Sequence, residues 1–138
     1  MPAIEDSVRV KTSPAGAFQA LSRAEGVRGW WSKKCEISDH IGGECALQFD
    51  KQGTIVKMRF RIDAVDQRRV AWTCIGHDMP SWIGTTVEWT MTPNADHVVI
   101  QLVHAGWKDQ APDAVAQGWK HFLSSLKSYV ETGTGQPW

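Results

Sequence analysis

Apolar residues recur at every second position through most of the middle of the chain. Val56, Met58, Phe60, Ile62 and Ala64 alternate with Lys57, Arg59, Arg61 and Asp63. Five consecutive matches to a period of two mark a strand with one buried face. The same period carries Cys45, Leu47 and Phe49, then Val70, Trp72 and Cys74. It continues through Thr85, Val87, Trp89 and Met91, and again through Val98, Ile100, Leu102 and His104. Ile4, Val8 and Val10 set up an earlier strand over Ile4–Lys11. Turn-forming clusters at Asp66-Gln67-Arg68 and Pro93-Asn94-Ala95-Asp96 separate neighbouring runs. The pattern predicts an antiparallel meander, wet on one face and covered on the other.

The cover is readable too. From Pro112 to Thr132, Val115, Trp119, Phe122, Leu123, Leu126 and Val130 form one stripe of a 3.6-residue period, and Gly133 supplies the stop. Lys120, Ser124, Lys127, Ser128 and Glu131 fall on the opposite side. About twenty residues at roughly 1.5 Å each make a rod of about 30 Å, enough to cross the sheet. Nearer the start, Ser13-Pro14 reads as an N-cap followed by proline at the first helical position, opening a short helix through Phe18 and Leu21. Ser22-Arg23-Ala24-Glu25 has capping-box spacing and predicts a second short helix running to Trp30-Trp31, which Gly26 and Gly29 weaken. The fold class is therefore α+β: a curved antiparallel sheet of six to seven strands, two short helices, and one long C-terminal helix on the concave face.

Neither repeats nor low-complexity tracts interrupt the 138 residues, so residues 1–138 are expected to form one domain, with 133–138 as a flexible tail. Fifteen basic and fifteen acidic side chains cancel, which gives no long-range field toward nucleic acid or an anionic membrane. The start lacks a basic segment followed by an apolar run, and no stretch approaches the roughly twenty apolar residues of a membrane span. A cytoplasmic location is expected. Cys35, Cys45 and Cys74 are odd in number and irregularly spaced, which argues for reduced thiols over a disulfide framework or a zinc knuckle. Eight tryptophans are the unusual feature, because a cluster of indoles suits either a core or an apolar ligand site.

Several stretches resemble a known family in order along nearly the whole chain. They are Ser13-Pro14-Ala15-Gly16-Ala17-Phe18-Gln19-Ala20-Leu21, Trp30-Trp31, Ile41-Gly42-Gly43, and Val65-Asp66-Gln67-Arg68-Arg69-Val70-Ala71-Trp72. Leu102-Val103-His104-Ala105-Gly106-Trp107 and the segment from Gly118 to Tyr129 complete the set. Together they resemble the helix-grip fold of the START and birch-pollen-allergen (SRPBCC) superfamily. More narrowly, they are similar to the bacterial branch related to the C-terminal domain of the activator of heat-shock protein 90 ATPase. The resemblance implies the helix-grip architecture, with Trp30-Trp31 at one rim of a groove. It does not select a function, because that superfamily includes lipid carriers, cyclases and aromatases, receptors and co-chaperone domains. The true co-chaperone has a separate N-terminal docking domain for which this chain has no room, so no chaperone partner is expected.

Inward parity gathers a candidate ligand-binding set: Trp30, Met58, Phe60, Trp72, Cys74, Trp89, Met91, His104, Trp119 and Phe122. The tryptophans either wall a cavity for a flat or hydrophobic molecule or simply fill the space under the helix. His104 ends an inward series and is the single catalytic candidate, as a ligand anchor or general base; the plainer alternative is a histidine pinned to backbone or hydroxyl partners. Cys74 in an apolar setting is expected to be an inert thiol. Lys57, Arg59, Arg61, Arg68 and Arg69 read as a solvated outer face. No histidine has metal-ligand spacing to another histidine or a cysteine, so neither a metal nor a cofactor is expected.

Three functions remain open. The first is a binding module for an apolar or aromatic small molecule; the second is a cyclase, aromatase or hydrolase using His104. The third is a co-chaperone-like interaction domain that presents the outer sheet or exposed edges of Trp82 and Trp107. A homodimer is compatible with all three. The discriminating quantity is the free volume between helix and sheet, where roughly 300 Å³ or more keeps binding and catalysis alive.

Overall fold

The period-two segments pair as strands in the structure, a computed structural model describing residues 3–51 and 53–138. Met1 and Pro2, where the expected leaderless start begins, lie outside the described residues, as does Gln52. Chain order runs β1 (Ala3–Val10), α1 (Pro14–Ser22), α2 (Ala24–Trp30), β2 (Lys34–Ile37), β3 (Glu44–Lys51) and β4 (Thr54–Val65). Then come β5 (Arg69–His77), a 3-10 turn (Pro80–Trp82), β6 (Thr86–Asn94), β7 (His97–Ala105) and α3 (Asp113–Thr132). Seven antiparallel strands make one sheet in the order β1-β7-β6-β5-β4-β3-β2.

Burial follows the alternation. Met58, Phe60, Ile62 and Ala64 of β4 are buried while Lys57, Arg59 and Arg61 are exposed. On that outer face Arg59 pairs with Glu44, Arg61 with Asp63 and Arg69 with Glu88, each at 2.8–2.9 Å, so carboxylates offset much of the basic stripe. Under the concave face, α3 buries Trp119, Phe122, Leu123 and Leu126 and half-buries Val115 and Val130. Gly133 ends the helix at φ +86°, a left-handed conformation that glycine adopts without a Cβ penalty.

Within the secondary structure, the fold departs from or adds to the sequence expectation at several places. β2 was not foreseen; with four residues and only Cys35 fully buried, it carries too few alternations to register as a period. The capping box does not form. Ser22 is the last residue of α1, and its hydroxyl donates back to the Phe18 carbonyl at 2.6 Å, while Arg23 caps α2 without a side-chain bond. Gly26 is a packing device as well as a weak helix former: a Cβ there would lie 2.4 Å from the Gln19 carbonyl oxygen and 2.6 Å from the Ala20 Cα. Only glycine lets α1 and α2 cross this closely.

Residues 133–138, expected to be a flexible tail, are strapped down. The Gln136 N–H donates to Ser125 Oγ at 2.7 Å, and Ser128 Oγ donates to the Thr134 carbonyl at 2.7 Å. Trp138 N–H reaches the Trp31 carbonyl and accepts from Lys33 N–H at its own carbonyl, both at 3.0 Å. Gly135 sits where a Cβ would come within 2.3 Å of the Gly29 carbonyl oxygen. Backbone hydrogen bonds hold this segment and leave no mark in hydrophobic periodicity.

Candidate functional site

The indoles fill most of the groove. Trp30, Trp31 and Trp72 stack in parallel, with centroids 5.6 and 5.7 Å apart and planes within 8° and 7°. Trp89 meets Trp30 and Trp119 edge-on at 5.5 and 5.6 Å. Phe60 lies against Trp31 and Trp72. Such offset and edge-to-face contacts add roughly 0.5–1.5 kcal/mol per pair beyond the area they bury. Trp30, Phe60, Trp72, Cys74, Trp89 and Met91 are all at most 2% exposed, and none of them lines the cavity beside α3. These members of the candidate set form core.

What stays open is one end of the groove. A cavity of about 190 Å³ lies between the N-terminal half of α3 and the edge formed by β3, β4 and the 3-10 turn. Met58, Trp119 and Phe122 of the candidate set line it, with Trp31 of the expected rim; so do His77 and Trp82, which the candidate set did not include. Val115 and Gly118 form its helical wall, and the strapped Trp138 lies across one side against Phe49 and Phe122. The volume is below the roughly 300 Å³ that a drug-sized ligand requires. A dry apolar cavity of about 150 Å³ holds benzene, so the space suits one ring or a small fused pair. A larger cleft of about 540 Å³ opens over β2–β4, but Arg28, Lys33, Lys34, Lys57 and Arg59 line it, and it is no place for an apolar guest.

His77 reaches the cavity through an irregularity in the sheet. Phe60 pairs with Cys74 and Arg59 with Gly76, so Ile75 is an extra residue and parity reverses beyond it. His77 thereby aligns with the inward Met58. Glycine at 76 within a strand was the available signal. The His77 ring stacks on Trp82 at 4.4 Å and 16°, and burial lowers its pKa to about 4.

His104 does not reach the cavity. It is fully buried, the Trp119 Nε1–H donates to its Nδ1 at 3.0 Å, and its Nε2 lies 2.9 Å from Thr85 Oγ1. Because Nδ1 accepts, the neutral ring carries its proton on Nε2 and donates to Thr85, whose hydroxyl passes the chain to the Trp82 carbonyl at 2.6 Å. Burial lowers the His104 pKa to about 3. Both nitrogens are committed, so the ring braces the α3–sheet contact and presents no free base to a substrate. Trp82 and Trp107, whose edges were expected at the surface, are instead 7% and 5% exposed. Trp107 donates to the His104 carbonyl at 3.3 Å, and the Trp82 and Trp107 rings meet edge-on at 5.8 Å.

All three cysteines are free and buried. Burial pushes the Cys74 thiol up to about 11, consistent with an inert group. Cys35 and Cys45 lie on the adjacent strands β2 and β3, where Cys35 pairs with Leu47 and Cys45 with Ile37, a proximity that spacing alone hid. Among the described residues no three histidine, cysteine or acidic side chains converge on a potential metal position. No helix among them is long and apolar enough to cross a membrane.

Comparison with solved structures supports the architecture. The Aha1 dimer from Colwellia psychrerythraea is 25% identical, with a TM-score of 0.82 over 98% of this chain and 100% of that one. A Chromobacterium violaceum protein at 18% identity has a TM-score of 0.83, covering 95% of this chain and 99% of its own. DynU16, from the dynemicin biosynthetic locus, is 19% identical with a TM-score of 0.76 over 98% of this chain and 49% of that longer one. No curated protein shows a significant sequence match. The family model described as Activator of Hsp90 ATPase homolog 1-like protein matches residues 11–131. That match spans α1 through nearly all of α3, and the chain belongs to the activator of Hsp90 ATPase homolog 1-like family.

Proposed function

We propose that this domain binds a small apolar molecule, one ring or a fused pair in size, in the cavity between the N-terminal half of α3 and the sheet. The carrying observation is a cavity of about 190 Å³ walled by Trp31, Trp119 and Phe122, with no lysine, arginine, aspartate or glutamate in its lining. A mostly filled groove that leaves one apolar chamber suits capture of a small guest better than transport of a long lipid. The buried, doubly bonded His104 favours binding over turnover. Native mass spectrometry of protein from its own host should show a bound small molecule. Titration with indane, followed through the indole N–H resonances, should shift Trp31 and Trp119. No shift at the solubility limit of indane would remove this reading.

A homodimer is the second reading. Met79 and Ile83 stand 48% and 47% exposed on either side of the 3-10 turn, and the Colwellia relative is a dimer. Sedimentation velocity on the wild type and on Ile83→Glu separates a dimer that uses this turn from a monomer.

A further inference from the structure

Charge is balanced over the whole chain but not at every place on it. Arg28, Lys33, Lys34, Lys57 and Arg59 line the cleft of about 540 Å³ over β2–β4, and Glu36 is the one acidic side chain in that lining. The strand register builds the cleft. Lys34, Gln48 and Lys57 stand abreast on β2, β3 and β4, and Glu36, Ala46 and Arg59 form the adjoining row. All six alternate with the buried Cys35, Leu47 and Met58, so they share the outer face. β3 supplies the shorter Ala46 and Gln48 as a floor, and the longer side chains of β2 and β4 form the walls. Elsewhere on this face Asp63 and Glu88 answer Arg61 and Arg69. In the cleft only Arg59 has such a partner, Glu44 at 2.9 Å; Arg28, Lys33, Lys34 and Lys57 make no ion pair among the described residues. The nearby Asp78 carboxylate accepts the Lys57 backbone N–H at 2.9 Å. Arg28 is held in place by its Nε–H, which donates to the Cys35 carbonyl at 2.8 Å on β2, the last strand of the sheet.

Independently of the apolar cavity, we infer that this cleft binds a small soluble molecule carrying two linked phosphates. Single exposed lysines attract an anion only weakly through water and salt, but a concave surface of one sign focuses the field. Two strand spacings set the Lys34 and Lys57 Cα atoms about 9.5 Å apart, so both ammonium groups can close on one phosphate above the Gln48 amide. Arg28 at one wall extends the donor set beyond that phosphate. Arg59 does so at the other, because it spends Nε and one amino nitrogen on Glu44 and keeps its second amino group. Five cations set against Glu36 and Glu44 leave an excess of three positive charges. A monophosphate of about −1.5 to −2 does not neutralise that excess, and a diphosphate comes close. The volume falls within the roughly 300–1,000 Å³ of small-molecule sites and leaves room for an organic group beside the phosphates. A nucleic-acid backbone would need basic surface beyond one cleft, and the balanced net charge does not supply it.

Inorganic pyrophosphate and orthophosphate, titrated by calorimetry and heteronuclear NMR near physiological salt with no divalent metal added, test this. Pyrophosphate is expected to bind at one site per chain, about tenfold more tightly than orthophosphate or better. It should shift the amides of Lys34 and Gln48 and the Arg28 Nε–H. Lys34→Gln and Lys57→Gln alter exposed side chains and should each weaken pyrophosphate about five- to tenfold. Arg68→Gln removes the same charge from an exposed turn outside the cleft and should change the affinity by less than about twofold. An equal loss in Arg68→Gln would reduce the effect to net charge and overturn the site. No shift in β2–β4 at about 10 mM pyrophosphate would overturn it as well. A single-stranded oligonucleotide that displaces pyrophosphate at equal phosphate concentration would overturn the small-molecule assignment. Sedimentation with vesicles of phosphatidylcholine and phosphatidylinositol bisphosphate would overturn the soluble one. None of these outcomes bears on indane binding in the cavity.

Discussion

Gly118 offers a prediction in which stability and binding move in opposite directions. It lies inside α3, where glycine costs about 0.8–1 kcal/mol relative to alanine because it gives up more backbone freedom on folding. A packing constraint does not explain it: a Cβ built at Gly118 meets nothing within 4 Å. Its backbone lies on the cavity wall. The missing side chain therefore leaves volume where the ligand is proposed to sit. Gly118→Ala should raise stability by about 0.5–1 kcal/mol, read as an increased urea midpoint with unchanged slope. The new methyl occupies cavity space, and crowding of one methyl against a fitted guest costs about 1–3 kcal/mol. Affinity for a ring-sized probe such as indane should fall roughly five- to 150-fold. Gly118→Leu should abolish binding altogether. A stabilised Gly118→Ala variant with unaltered affinity would show that the cavity is not the binding site. A destabilised one would show that the space beside Gly118 is not free.

Three further outcomes follow from the packing. Gly26→Ala improves helix propensity by about 1 kcal/mol, yet should lower stability by about 1–2 kcal/mol net, because the methyl meets the α1 backbone; a gain in the denaturation midpoint would refute the close crossing. The histidines make stability depend on pH. Unfolded imidazoles protonate near 6.5, while folded His104 and His77 do so only at about 3 and 4, so their contribution is complete above pH 6.5 and falls as pH drops toward 4. Between pH 6 and 5, His104 alone should contribute a slope approaching 1.4 kcal/mol per pH unit, and urea midpoints independent of pH in that window would exclude a buried neutral ring. Gly135→Ala should release the tail through its clash with the Gly29 carbonyl. Amide exchange at Lys33 and Trp138 should then accelerate at least tenfold, and unchanged protection would mean that the strap tolerates the methyl.

The strands and α3 were legible because each presents at least three positions of one period, with five in β4 and six along α3, and a long pattern survives local irregularity. Short or interrupted elements were not. β2 shows the sequence Lys34-Cys35-Glu36-Ile37, indistinguishable from a polar loop without its partner β3. Inward parity correctly separated core from surface for Trp72, Trp89 and His104 but could not separate core from cavity wall, since both are buried. His77 was missed because the extra residue at Ile75 reverses parity one turn of the pleat earlier. Trp138 was missed because its place depends on main-chain bonds to Trp31 and Lys33, and backbone atoms carry no residue-specific signal.

The parallel stack of Trp30, Trp31 and Trp72 has a mechanical consequence. Flat rings in face contact cannot shrink by degrees, and the surrounding aromatic contacts leave them little lateral play. Of these plates only Trp31 borders the chamber, backed by Trp30 and Trp72, so that stretch of the wall is rigid, and compliance is left to Met79, exposed on the turn. Exchanging Trp31 for a smaller side chain would enlarge the chamber by a ring at once, with the backbone scaffold left in place.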